Sequence, residues 1–452
     1  MKFTKFGKVL LMSALSVAVV LSITSCVQSY TVGFLYVTGT TTAQPNGNGI
    51  ISGFRIDHNT GKLTSINGLP ISSGGANPVR AVLLTGSRFL YVLNRGISQN
   101  PAGSSICTTA YPCSNGNIQE FAVGGNGILT EQETFFTQGV NPFRMFGDAS
   151  GNFLYILDHD APDSATYAGT TPTAASPNSC MQALTNAVTS CGDVTAFQVN
   201  QTTGRLSIIV NAQVSSASGS ALPYFPVPAN PIDFTISSGY LETLSGTPST
   251  GDVVFPYQYS VSTGQLTISQ NGSYVPGIKQ ATTIVNGTGY VYILDNEATL
   301  VSSGTSQVLP YTIGSGGSLV AQVSGAVADD PTLSNPIQLL VESKGKFLYV
   351  ANQGNDAQGT NSGSGYAGYV IDPSTHVLSF IAGEPYGSGS APQCIVEDPS
   401  DQFIYSADFN DSSVTGRVVD PNSGALNDMN GSSGVFALQG PATWCLIDGR
   451  TS

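Results

Sequence analysis

The chain has 452 residues, only 10% of them charged, and its 15 Lys and Arg against 28 Asp and Glu leave a net charge of −13. Sparse and acidic charge excludes nucleic acid and phosphate-rich surfaces as partners, because both demand clustered Lys and Arg. Frequent glycine and the lack of any long stretch with helical period exclude a helical bundle.

The first element is a leader. Lys2, Lys5 and Lys8 precede an apolar run from Val9 to Leu21, which ends in Ile23-Thr24-Ser25-Cys26. A basic start, an apolar middle and small residues before a cut site describe a secretory signal over residues 1–25. A cysteine directly after the cut fits the bacterial lipoprotein pattern, so Cys26 is expected to be lipidated and to become the new N-terminus. Residues 26–30 then form a lipid anchor and short linker. Loss of the three leader lysines takes the net charge to about −16. The apolar run is short for a membrane span, so acyl chains would anchor the protein without its crossing the bilayer. The expected location is the bacterial cell envelope, and Val27 after the cysteine, rather than an aspartate, points to the outer membrane.

From Thr31 a phrase begins to repeat. An aromatic strand reads Phe34-Leu35-Tyr36-Val37, a second ends in Phe54-Arg55-Ile56-Asp57, and a turn follows as Thr60-Gly61-Lys62-Leu63. The aromatic strand recurs at Phe89, Phe153, Tyr240, Tyr290, Phe347 and Phe403. The turn recurs before Leu129, Leu206, Leu266, Leu319, Leu378 and Leu426, with a glycine two residues earlier except in the copy that carries His376. A third element opens most units as a proline followed by apolar residues, at Pro78, Pro142, Pro231, Pro336, Pro392 and Pro441; around Gln280 to Val285 it lacks the proline. Period-two alternation in Gly192 to Val199 marks these elements as strands. Residues 31–452 are thus predicted to be all-β: a seven-bladed β-propeller with four-stranded blades. The chain enters with an aromatic strand and leaves with an orphan opening strand at Pro441 to Ile447. The C-terminal strand should therefore pair in the first blade and close the ring.

Strand polarity selects a functional face, where loops enter the innermost strands and leave the second ones. Arg80, Arg144, Asp233 and Gln338 fall there, each two residues after its proline. Asn94, Arg95, Asn352, Asp408 and the cluster Asp158-His159-Asp160 end the second strands. Arginines suit a carboxylate or phosphate, so Arg80, Arg144, Asp233 and Asn352 are candidate ligand-binding residues. His159, oriented by Asp158 or Asp160, is the candidate catalytic group. An insert at Ala161 to Gly192 leaves the same face and could cover it.

Apart from Cys26, six cysteines remain, as expected of an exported protein. Cys107 with Cys113 and Cys180 with Cys191 would close short loops, and Cys394 with Cys445 would bridge innermost strands of neighbouring blades. Six cysteines allow 15 pairings, so this set rests on proximity alone. No CxxC, HExxH, P-loop, GxSxG or strand–GxGxxG–helix unit is present, and no metal or cofactor is expected.

These strand and turn phrases, with Phe197-Gln198-Val199-Asn200 before Thr203-Gly204-Arg205-Leu206, resemble the seven-bladed propeller lactonase family, which includes 6-phosphogluconolactonase-type enzymes. The resemblance implies a ring of this kind over roughly Thr31 to Gly449 and, in active members, a histidine in a Pro-Arg-His or Pro-x-His turn. Here those turns read Pro78-Val79-Arg80, Pro142-Phe143-Arg144 and Pro231-Ile232-Asp233. The expectation is an envelope-anchored, monomeric binding module for a carbohydrate, a lactone or another envelope protein. The alternative is a hydrolase of a sugar lactone or related lactone, with Arg80 and Arg144 holding the substrate and His159 activating water.

Overall fold

A computed structural model describes residues 30–449 except 42–47, 85, 87, 99–112, 163–190, 217–218, 247–252, 270–277, 288, 297–305, 323–324, 355–362 and 430–432. The leader, Cys26, Cys107, Cys180 and most of the 161–192 insert lie outside the described residues.

Seven antiparallel sheets follow one another along the chain. Blade 2 shows the plan: Pro78–Leu83 lies innermost, followed by Phe89–Asn94, Asn117–Val123 and Leu129–Phe135. In blades 1, 3, 5 and 7 the outer edge is divided. A second short strand, such as Ile71–Ala76 in blade 1, pairs with the same third strand beyond the first segment. The last strand, Ala442–Asp448, pairs antiparallel with Thr31–Thr40 and supplies the innermost position of blade 1. This is the closure that the order of elements at the two ends predicts. It leaves no unpaired edge where the ring begins.

The repeating phrase is the joint between blades. The tyrosine of each aromatic strand reaches the turn glycine of the following blade. Tyr36, Tyr91, Tyr155, Tyr349 and Tyr405 donate to the carbonyls of Gly127, Gly204, Gly264, Gly424 and Gly61 at 2.5–2.9 Å. The phenylalanine two residues earlier covers that glycine. A Cβ at Gly127 would sit 2.5 Å from the Phe34 ring, and the residue's φ of +81° also favours glycine. The spacing of Phe, Tyr and Gly in the sequence is thus set by contacts across blade boundaries. Tyr405 to Gly61 carries the same joint from blade 7 to blade 1.

Two joints depart from the pattern. In blade 4 Glu242 takes the place of the tyrosine. It is fully buried, both carboxylate oxygens lack a hydrogen-bond partner among the described residues, and its carboxyl faces Gly317 of blade 5. Burial pushes its pKa up to about 8. Between blades 5 and 6, His376 replaces the glycine, keeps φ at +55°, and stacks on Tyr290 with ring centroids 3.8 Å apart.

The seam between blades 7 and 1 has a further fastening. Cys394 and Cys445, in the innermost strands of these two blades, form the expected disulfide, with Cα atoms 5.8 Å apart. Cys113 and Cys191 are also disulfide-bonded.

Candidate functional site

Each innermost strand carries the same irregularity near its start. Pro78 pairs with Asn94 but Arg80 pairs with Leu93, and Pro142 pairs with Asp158 but Arg144 with Leu157. Equivalent register shifts occur in the other five blades. A bulge re-aims the side chain that follows it. It leaves the residue after the shift on the central axis in blades 2 to 6 and 1, as Arg80, Arg144, Asp233, Thr283, Gln338 and Trp444, which share the wall of one cavity of about 270 Å³. In blade 7 the equivalent residue is the disulfide-bonded Cys394.

Asp233 is held rigidly within this cavity. Its Oδ2 accepts the Thr283 hydroxyl at 2.5 Å and the Ile284 amide at 3.2 Å, both from blade 5. Its Oδ1 faces the Arg144 Nε at 3.3 Å. The Arg80 guanidinium lies flat over the Trp444 indole, 3.5 Å from the ring centroid. Three guanidinium groups interact here. Burial first, and then the charge of Arg144, hold Arg80 well below its usual pKa, while Asp233 opposes the shift. Burial and Arg144 lower Arg95 to about 10. In a chain with only 15 basic residues, two arginines, Arg80 and Arg144, share the cavity wall with one carboxylate, Asp233.

The sequence-predicted residues divide into two groups. Arg80, Arg144, Asp233 and Gln338 converge on the cavity. His159, Asp158, Asp160 and Asn352 are not among the residues lining it. Asp158 is fully buried where its strand leaves the blade. It accepts the Thr137 hydroxyl at 2.7 Å and lies in register with Asp193, with Thr195 Oγ1 between the two carboxyls. Burial pushes Asp158 up to about 8, and burial together with Asp158 raises Asp193 as well. The pair is a buried structural element of blade 3, bridged by the Thr195 hydroxyl. Asn352 is also fully buried, and neither its amide nitrogen nor its amide oxygen has a hydrogen-bond partner among the described residues.

His159 is partly exposed at the mouth, with Nδ1 3.2 Å from Asp160 Oδ2. Asp160 is steadied in turn by the Asn141 amide at 2.8 Å. Phe143 stands between this pair and the cavity. Its ring lies 6.2 Å from the His159 ring and 5.2 Å from the Arg144 guanidinium carbon.

Sequence reasoning missed Trp444 and Thr283. Proline served as the register mark, and in the last strand Pro441 stands one residue early, while blade 5 has Ala281 instead.

The architecture and its central cavity define the class: a closed seven-bladed β-propeller with its candidate site on the axis. A family described as a seven-bladed β-propeller lactonase matches residues 303–437. None of the curated proteins compared matches the chain by sequence. Among solved structures, one described as a putative 6-phosphogluconolactonase from Bacteroides fragilis superposes with a TM-score of 0.63 at 15% identity, covering 92% of this chain and 98% of that one. The periplasmic gluconolactonase PpgL of Pseudomonas aeruginosa gives 0.61 at 16% identity, covering 93% and 99%. A putative 6-phosphogluconolactonase from Bacteroides uniformis gives 0.62 at 11%, covering 92% and 99%. The chain is a lactonase-like seven-bladed β-propeller.

Proposed function

We propose that the protein is an envelope-anchored binding module, tethered through a lipid on Cys26, that holds a small oxygen-rich anion such as a sugar acid in its axial cavity. One observation carries this reading. Arg144, fixed against a preorganised Asp233, shares a cavity of about 270 Å³ with Arg80 and Trp444. Arginine forks match carboxylate oxygens, an indole face suits the apolar side of a sugar, and Asp233, Thr283 and Gln338 can bond its hydroxyls. The test is calorimetry with gluconate on the chain beginning after residue 26. Saturable binding that weakens at least tenfold in Arg144→Gln is expected, and no binding up to millimolar gluconate would sink the reading.

A second reading, lactone hydrolysis, draws on the His159–Asp160 pair at the mouth. The similarity in fold to a protein described as a gluconolactonase adds to it. In this reading Asp160 orients the imidazole and the other ring nitrogen takes a proton from water. Phe143, which stands between the pair and Arg144, argues against it. Hydrolysis of gluconolactone above the spontaneous rate, abolished in His159→Gln, would replace the binding-only reading.

A further inference from the structure

The polar cavity is only one end of the axial channel. Below it lies a second cavity of about 540 Å³, and the two share Phe146, Gln338 and Trp444 in their walls. The lower part is apolar: Val82, Leu83, Leu340, Val341, Val396 and Leu446 line it, all half-buried on the innermost strands. The charge at the two ends is opposite. Arg80, Arg95 and Arg144 lie toward the upper end. At the lower end Ser343 and Glu397 join the wall. Burial pushes Glu397 up to about 7, and the nearby Asp401, Glu342 and Asp398 raise it further, against the backbone bond from Ser343 that lowers it. Lys344 at that end is paired with Asp401 at 2.9 Å.

A sugar acid uses only the upper part of this channel. From the walls that the two cavities share we infer that they form one passage and that the ligand class is an amphiphile, with an anionic head on Arg144 and Arg80 and an unbranched acyl tail threaded past Phe146 and Trp444 into the apolar section. The acidic lower end opposes the reverse orientation, because a head placed there would meet carboxylates. The tail gains by leaving water, at about 0.8 kcal/mol for each methylene buried, whereas the valines and leucines of this section cannot bond the hydroxyls of a longer sugar.

This inference rests on the binding reading above, and the experiment separates the two. Calorimetry on the chain beginning after residue 26 compares gluconate, butyrate, decanoate and decanol. Decanoate is expected to bind at least tenfold more tightly than butyrate and than decanol. Val341→Trp should bring decanoate down to the level of butyrate while leaving gluconate unchanged. Val82→Trp, on another wall of the channel, should do the same, and thermal melting checks that each variant is folded. Arg144→Gln should weaken all three carboxylates. Equal affinity for butyrate and decanoate overturns the tail assignment, with gluconate binding left standing. Decanol binding as tightly as decanoate overturns the head assignment. Loss of all binding, gluconate included, defeats both readings.

Discussion

The seam between blades 7 and 1 and the joint between blades 4 and 5 do the same mechanical work with different means. The first has a shared sheet, a disulfide, and the Tyr405 bond to Gly61 beneath Phe403. The second has Tyr240 over Gly317 and a buried Glu242 with no partner among the described residues. The difference teaches that reinforcement falls where the chain ends meet: Ala442–Asp448, reached directly from blade 7, is joined to Thr31–Thr40 in blade 1 by strand pairing and not by a backbone link. Blades 4 and 5 are each built from consecutive strands of one stretch of chain, and a weaker joint is tolerated between them.

The largest test of this contrast is at the disulfide. Cys394→Ser with Cys445→Ser releases a constraint of sequence separation 51, and should lower unfolding free energy by about 4 kcal/mol in a denaturant titration. A loss below about 1 kcal/mol would mean that strand pairing alone holds the seam.

The turn glycine gives the next effect. Gly127→Ala places a methyl against Phe34 at positive φ and should cost about 3 kcal/mol. At the deviant joint His376→Gly relieves a strained φ but loses the Tyr290 stack, so the change should stay within about 1 kcal/mol. Equal effects at the two positions would erase the distinction between regular and deviant joints.

Glu242 gives a pH-dependent effect. Its folded pKa is raised from 4.5 to about 8. The folded protein therefore keeps a proton that the unfolded chain releases, and stability falls as pH rises through that window and then levels. Glu242→Gln removes the dependence, so the variant should gain on the parent between pH 5 and pH 8, by about 1.4 kcal/mol for each pH unit at most. Melting temperatures that run parallel over this range would show that Glu242 is solvated in the folded state.

The fold was legible because its joints are written in short residue patterns. Phe, Tyr and turn Gly must recur at fixed spacing to meet across blade boundaries, and the phrase is visible in five full copies and two altered ones. The axial residues were legible wherever a proline marks the start of an innermost strand, as for Arg80, Arg144, Asp233 and Gln338. Trp444 and Thr283 were hidden because the mark is displaced or absent. The sequence also groups Asp158 with His159, but alternation along a strand sends neighbouring side chains to opposite faces. One is buried against Asp193 and the other reaches the mouth. Asp193 itself gave no signal, since its partner comes into register only across the insert that separates the two strands.

The bulge repeated in every innermost strand has an evolutionary consequence. It turns the axis into seven sockets on a constant frame, and their occupants here are two arginines, an aspartate, a threonine, a glutamine, a cysteine and a tryptophan. None of these side chains takes part in the tyrosine–glycine joints, and apart from the cysteine those that touch across a boundary, as Asp233 and Thr283 do, meet within the cavity itself. Mutation can rewrite six of the sockets, and with them what the ring recognises, while the architecture stays intact; the seventh has been surrendered to keeping the circle shut.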